Sequence, residues 1–224
     1  PLMEALVAYA SPPTVRRVRI KRDGETDYLK APNTDDKPLA AYVFKTLNDK
    51  YVGTLNYIRI FSGVISSDSR NINVTSGTEE RFNSLMVMRG KEQFPIKKLH
   101  SGDIGVVAKL TNTKTGDTFA DKDTAFQIIQ PEFPTPLYMV AVSPATQADS
   151  AKMGPILTNL CEADPTLRWR QDRDTRQTVL EGMGQIHIDV TLKRAESLGV
   201  NIDVEMPKVP YRETVTGTAD ATYT

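Results

Sequence analysis

Apolar and polar positions change their period once along this 224-residue chain. From about Pro38 to Gln130 the apolar residues come in short runs rich in β-branched and aromatic side chains, such as Ala41-Tyr42-Val43-Phe44 and Leu55 to Phe61, which is strand chemistry. Turn-type clusters separate them. Asn48-Asp49-Lys50, Ser62-Gly63, Ser76-Gly77, Ser101-Gly102-Asp103 and Thr115-Gly116-Asp117 space the runs like the strands of a small antiparallel barrel. Closure would remove the unpaired edges that an open sheet of this size carries.

Beyond Pro131 helical spacing enters. Tyr138-Met139-Val140-Ala141-Val142 reads as a strand, Pro144 as a turn, and Met153, Ile156, Leu157 and Leu160 as a helix stripe. Asp164-Pro165 ends that helix. Leu167 and Trp169 alternate with Arg168 and Arg170, which puts the indole with Leu167 on the inner face and both arginines outside. A polar turn from Asp172 to Arg176 leads to the strand Thr178-Val179-Leu180. Gly182-Met183-Gly184 opens a second helix striped by Ile188, Leu192, Ala195 and Leu198 and capped by Gly199. Val200, Ile202 and Val204 then alternate with polar residues in a last strand. The order β-α-β-β-α-β is the split βαβ, or ferredoxin-like, arrangement. The fold expected is therefore multidomain: an antiparallel β-barrel followed by an α+β ferredoxin-like sandwich. The proline-stiffened segment Pro131-Glu132-Phe133-Pro134-Thr135-Pro136 joins the two.

The ends read as cut. Pro1 to Val7 forms a helix pattern whose apolar face (Leu2, Ala5, Leu6) has nothing nearby to pack on, and it stops at Ser11-Pro12-Pro13. Tyr211 to Thr224 has strand character that stops in mid-pattern. Between the first helix and the barrel, Arg16, Arg17, Arg19, Lys21 and Arg22 precede an Asp23-Gly24 turn. A solvated linker strand accounts for this run better than an RNA-contacting patch, because a charge run is weak evidence by itself.

Composition narrows the function classes. Lys+Arg and Asp+Glu both number 28, so no global basic field advertises nucleic acid and any RNA contact must be local. A single cysteine, Cys161, excludes an intrachain disulfide and suits a reducing, cytoplasmic setting. The apolar runs fall short of a membrane span.

The sequence carries no motif of nucleotide or metal chemistry. None of the 13 glycines has the spacing of a phosphate loop ending in Gly-Lys-Ser/Thr, and the pair Gly90-Lys91 runs into Glu92. A switch-type Asp-x-x-Gly and a base-reading Asn-Lys-x-Asp are also missing from the sequence. His100, His187 and Cys161 are scattered over different elements, which argues against a metal site. Cys161 lies on the apolar helix face, a small core residue rather than a nucleophile. Asp172 and Asp174, set among Arg170, Arg173 and Arg176, make a charge-balanced turn. No catalytic, cofactor or metal residue is assigned.

Several stretches resemble the elongation factor G family. Pro38 to Lys45, Tyr51 to Leu55 and Ile58-Arg59-Ile60-Phe61-Ser62-Gly63 look like the opening of its second domain, and Leu99 to Gly105 and Thr115 to Thr118 like later turns of it. Glu162 to Thr166 and Gly182-Met183-Gly184-Gln185-Ile186-His187 are similar to the third domain, and Tyr211-Arg212-Glu213-Thr214 to the start of the fourth. The resemblance implies a division into residues 1–29 (end of the G domain and linker), 30–130 (domain II barrel), 131–207 (domain III) and 208–224 (truncated start of domain IV). It implies a translational GTPase that drives ribosomal translocation, with GTP and Mg²⁺ held in a G domain outside this segment. Its partners would be the ribosome, through rRNA and ribosomal proteins, and the chain's own G domain and domain IV, with no membrane. Gly182, Gly184 and His187 would face the switch regions and the fusidic acid pocket, the glycines allowing close backbone approach. Arg59, Arg168 and Arg170 are candidates for contacts to RNA or another domain.

Gly154-Pro155 would interrupt the first helix of domain III, and an interior Pro costs about 3 kcal/mol unless the helix kinks or restarts. Glu181 stands where the family commonly has Ser, Gln185 where Glu is frequent, and Arg176 where Gly is usual. These departures suggest a diverged member. The other readings are a ribosome-protection or release-type GTPase, or an independent enzyme built on Cys161 and His187.

Overall fold

The computed structural model describes residues 1–11, 17–22, 24–30 (backbone alone for 29 and 30), 35, 38–49, 52–90, 92–121, 126–211, 213 and 217–222. Expectations for Pro12, Pro13, Arg16, Asp23, Lys50, Tyr51, Lys91, Arg212 and Thr214 lie outside these residues. The chain forms two compact units, Pro1–Pro134 with Asn159–Pro165, and Thr135–Thr158 with Thr166–Thr224.

In the first unit, α1 (Leu2–Tyr9) buries none of its residues. The basic run forms β1 (Arg17–Arg22), paired antiparallel with β2 (Glu25–Lys30). It is no free linker: Val18 and Ile20 are buried while Arg17, Arg19, Lys21 and Arg22 point to solvent. Two long strands follow, β3 (Ala40–Asp49) and β4 (Gly53–Ser62). The shorter strands are β5 (Ile65–Ser66), β6 (Arg70–Asn73), β7 (Thr78–Arg81), β8 (Leu85–Arg89), β9 (Glu92–Ile96), β10 (Lys98–Leu99), β11 (Ile104–Ala108), β12 (Thr118–Ala120) and β13 (Phe126–Ile128).

These strands make a barrel-like unit. One ladder runs β7-β6-β12-β3-β4-β11-β8-β9, with β10-β5 and β13-β1-β2 as smaller ladders. Its interior is filled by Val43, Ile58, Ile60, Leu85, Leu99 and Phe119 among others. Phe82 and Phe119 meet edge to face there, 4.9 Å between ring centroids. The ladder ends at β7 and β9, and their sequences guard those ends. In β7, Glu80 points inward and accepts the Asn112 backbone N–H at 2.6 Å; β9 carries Glu92 and Pro95. An inward charge and a strand proline both discourage further pairing. The turns fall where the turn residues stand, with Gly102 and Gly116 at φ of 95° and 101°.

The second unit is built on β14 (Tyr138–Pro144), α2 (Gln147–Ala163, of which residues 159–163 are grouped with the first unit), β15 (Arg168–Gln171), β16 (Thr178–Gly182), α3 (Gln185–Ser197) and β17 (Ile202–Glu205). Sheet order β15-β16-β14-β17, antiparallel throughout, is the ferredoxin-like topology. Ile188, Thr191 and Ala195 form the buried stripe of α3, and Gly199 at φ 89° ends it. Helix α2 is continuous with Pro155 inside it, where the sequence led us to expect a break. Thr158 Oγ1 donates back to the Gly154 carbonyl at 3.0 Å, a side-chain bond to the carbonyl four residues before it. Among the described residues beyond Glu205 none lies in a strand, so the expected strand after Tyr211 is not seen there.

Candidate functional site

In the second unit, β16 ends on Gly182 and α3 begins after Gly184. Gly182 is buried and sits opposite Tyr138 in the register. A Cβ added to it would stand 2.9 Å from Ile188 Cδ1 and 3.1 Å from His187 Nδ1. Gly184 caps the helix in extended backbone, φ 177° and ψ 175°, with open space where a Cβ would go. Close approach therefore explains Gly182 and not Gly184. The Met183 backbone N–H donates to His187 Nδ1 at 3.1 Å. The structure thus brings Gly182, Gly184 and His187 into one strand–helix turn.

Met183, Ile186 and Val190 surround that turn with exposed apolar surface, Ile186 being 79% exposed. In the sequence Met183 and Ile186 stand within the Gly182–His187 motif, and none of the three reads as a site residue. The available signal was the spacing of four between Ile186 and Val190 on α3, off the buried stripe of Ile188 and Ala195.

Arg168 and Arg170 both project outward from β15. Arg170 already holds two carboxylates, Asp172 at 2.8 Å and Glu181 at 2.9 Å. Asp172 also accepts the Asp174 and Thr175 backbone N–H groups, each at 3.0 Å. The Thr175 N–H, followed by the Arg170 guanidinium, pushes the Asp172 carboxyl down to about 2. Between them Trp169 is half-buried, its Nε1–H reaching Thr158 Oγ1 at 3.3 Å. Cys161 is half-buried near the end of α2.

Arg59 belongs to the first unit. It lines an open cavity of about 470 Å³ together with Arg17, Arg19, Tyr42, Phe44 and Phe61. The Arg59 guanidinium lies over the Phe61 ring, 5.5 Å from its centroid. Its Nε is buried with no hydrogen-bond partner among the described residues. Strand β3 carries a bulge between Val43 and Lys45. The extra residue is Phe44, and it turns its ring outward, 40% exposed, as bulges re-aim side chains. Burial first, and the charge of Asp117 second, push the Tyr42 phenol above its ordinary range. Arg17, Arg19, Tyr42, Phe44 and Phe61 were not singled out as site residues from the sequence; what betrays the arginines is their alternation with Val18 and Ile20. Among the described residues no cluster of His, Cys, Asp and Glu could hold a metal ion. No described helix is long and apolar enough to cross a membrane.

Comparison with known proteins bears on both units. Residues 38–122 match the family model for elongation factor G domain 2, and residues 133–206 that for elongation factor G, domain III. The chain belongs to the elongation factor G family. It is also similar to a crystal structure of a protein from Thermus thermophilus, with a TM-score of 0.75 and 26% identity. That likeness covers 95% of this chain and 30% of the other, so the chain spans about 30% of that protein's length. Arg59, with Tyr42, Phe44 and Phe61, falls inside the domain 2 match, and the Gly182–His187 turn and both β15 arginines inside the domain III match. Arg17 and Arg19 precede the first match.

Proposed function

We propose that this chain is the central coupling segment of an elongation factor G-type GTPase that promotes ribosomal translocation in the cytoplasm. The observation that carries the reading is the ordered pair of domain matches laid on a barrel-like unit and a ferredoxin-like unit. On this reading the segment is not itself catalytic. GTP and Mg²⁺ belong to a G domain, since this sequence lacks a phosphate loop, a switch motif and a base-reading motif. The barrel-like unit engages the ribosome and its own G domain. The strand–helix turn of Gly182, Gly184 and His187, with exposed Met183 and Ile186 beside it, offers an apolar surface suited to a neighbouring domain that changes with nucleotide state.

The test is a transplant. The segment replaces its counterpart in a full-length elongation factor G, and ribosome-stimulated GTP hydrolysis and translocation are measured. Both activities are expected to survive. A chimera that hydrolyses GTP on ribosomes yet cannot translocate overturns the translocase reading. It favours a ribosome-protection or release-type factor, the alternative suggested by Glu181, Gln185 and Arg176 at positions where the family commonly differs. For the non-catalytic part, the purified segment with GTP and Mg²⁺ is expected to show background hydrolysis only.

A further inference from the structure

The second unit leaves one strand edge open. β17 ends its sheet, with β14 on one side and no strand on the other among the described residues. The ladder ends of the first unit are guarded by the inward Glu80 and by Pro95. β17, which reads Ile-Asp-Val-Glu, has neither device. Its side chains alternate between the two faces of the sheet. Asp203 and Glu205 share one face and are exposed; Ile202 and Val204 share the other, Val204 being 46% exposed. Beside the strand runs an open groove of about 480 Å³ against α3. Asp189 and Glu196 of α3 line it together with Asp203, and Lys193 is its one cation among the described residues. Leu192 and Ile202, both half-buried, give it an apolar lining. Three carboxylates to one ammonium is a local excess, because the chain as a whole balances 28 basic against 28 acidic residues.

An unpaired edge offers backbone N–H and C=O groups to an extended chain alongside it. Charge decides which chain. A second β17 laid antiparallel would set carboxylate against carboxylate, and like charges opposite one another destabilise a ladder. A strand with Lys or Arg at alternate positions sets cations opposite Asp203 and Glu205 instead. We propose that β17 and its groove take up an extended basic segment of another protein, added as a fifth strand through main-chain hydrogen bonds. The alternate apolar residues of that segment then share a face with Ile202 and Val204, while Asp189 and Glu196 add to the field that draws it in. The sheet's far edge, β15, also carries cations at alternate positions, Arg168 and Arg170. Arg170 is already held by Asp172 and Glu181, which favours a foreign strand over a second copy of this chain. Strand addition of this kind lies beyond the coupling role and does not depend on it.

The experiment titrates the 224-residue protein with three fluorescent dodecapeptides. One alternates lysine and valine, the second is the same peptide N-methylated at every residue, and the third alternates glutamate and valine. The lysine–valine peptide is expected to bind about tenfold more tightly than either of the others, since one lacks backbone donors and the other the charge. Asp203→Lys/Glu205→Lys is expected to weaken its binding about tenfold, by turning two attractive cross-strand pairs into repulsive ones. Both side chains are exposed, and unchanged circular dichroism confirms that the variant folds. Equal affinity for the N-methylated peptide overturns strand addition and leaves charge attraction only. Equal affinity for the glutamate–valine peptide overturns the basic partner. Binding unmoved by Asp203→Lys/Glu205→Lys overturns the place. Concentration-dependent self-association in sedimentation, lost in the same variant, overturns the foreign strand in favour of a second copy.

Discussion

A Cβ on Gly182 would stand 2.9 Å from the tip, Cδ1, of the 1%-exposed Ile188, which would have to shift to make room. Gly182→Ala is expected to destabilise the second unit by about 1–3 kcal/mol, the ordinary penalty for overpacking, read from urea denaturation. The same change pushes on His187 Nδ1 and with it the bond from Met183 N–H. Asp172 supplies a second test. Its folded carboxyl lies near 2 against an ordinary 3.8. A depressed folded value means that its contribution is complete above the unfolded pKa and is lost as pH falls through the folded one. Asp172→Asn should therefore unfold earlier than the native protein at neutral pH, and the two denaturation midpoints should converge as the pH drops from about 4 to about 2. A gap that persists at the acid end would mean that Asp172 acts through packing and not charge.

Two elements carry residues at odds with their own geometry. The β15–β16 hairpin holds Arg176 at φ 57°, a left-handed conformation that costs a non-glycine residue about 1–2 kcal/mol. Arg176→Gly is expected to raise stability by up to about 1 kcal/mol, read from urea denaturation, once glycine's extra unfolded-state freedom is set against the relief. Helix α2 runs unbroken past Gly154 and Pro155. A Cβ on Gly154 would meet nothing within 4 Å beyond its chain neighbours, but Pro155 follows it, and a proline disfavours helical backbone at a preceding residue that carries a Cβ, so Gly154→Ala should destabilise the helix despite the better helix propensity of alanine. A loss of stability there would show that the glycine is needed to let the helix pass the proline. The hairpin position is legible in the sequence as one where glycine is usual. The unbroken helix is not, because local propensity argues for a stop at Gly-Pro.

For the whole molecule, the balance of 28 basic and 28 acidic residues leaves no long-range field to draw RNA in. Much of the architecture is visible before any coordinates. The change of period near Pro131 separates strand-rich from mixed structure, and the turn residues mark the hairpins. The stripe of Ile188 and Ala195 sets α3. All of these are local patterns, and local patterns are what periodicity and turn chemistry report. The cavity could not be read in the same way. Arg17, Phe44 and Arg59 come from strands separated in sequence, and only the pairing register and the bulge at Phe44 bring them to one opening. The two glycines of the α3 turn looked equivalent in sequence. Tertiary packing alone sets them apart, because the side chain that excludes a Cβ from Gly182 belongs to the helix folding back over it.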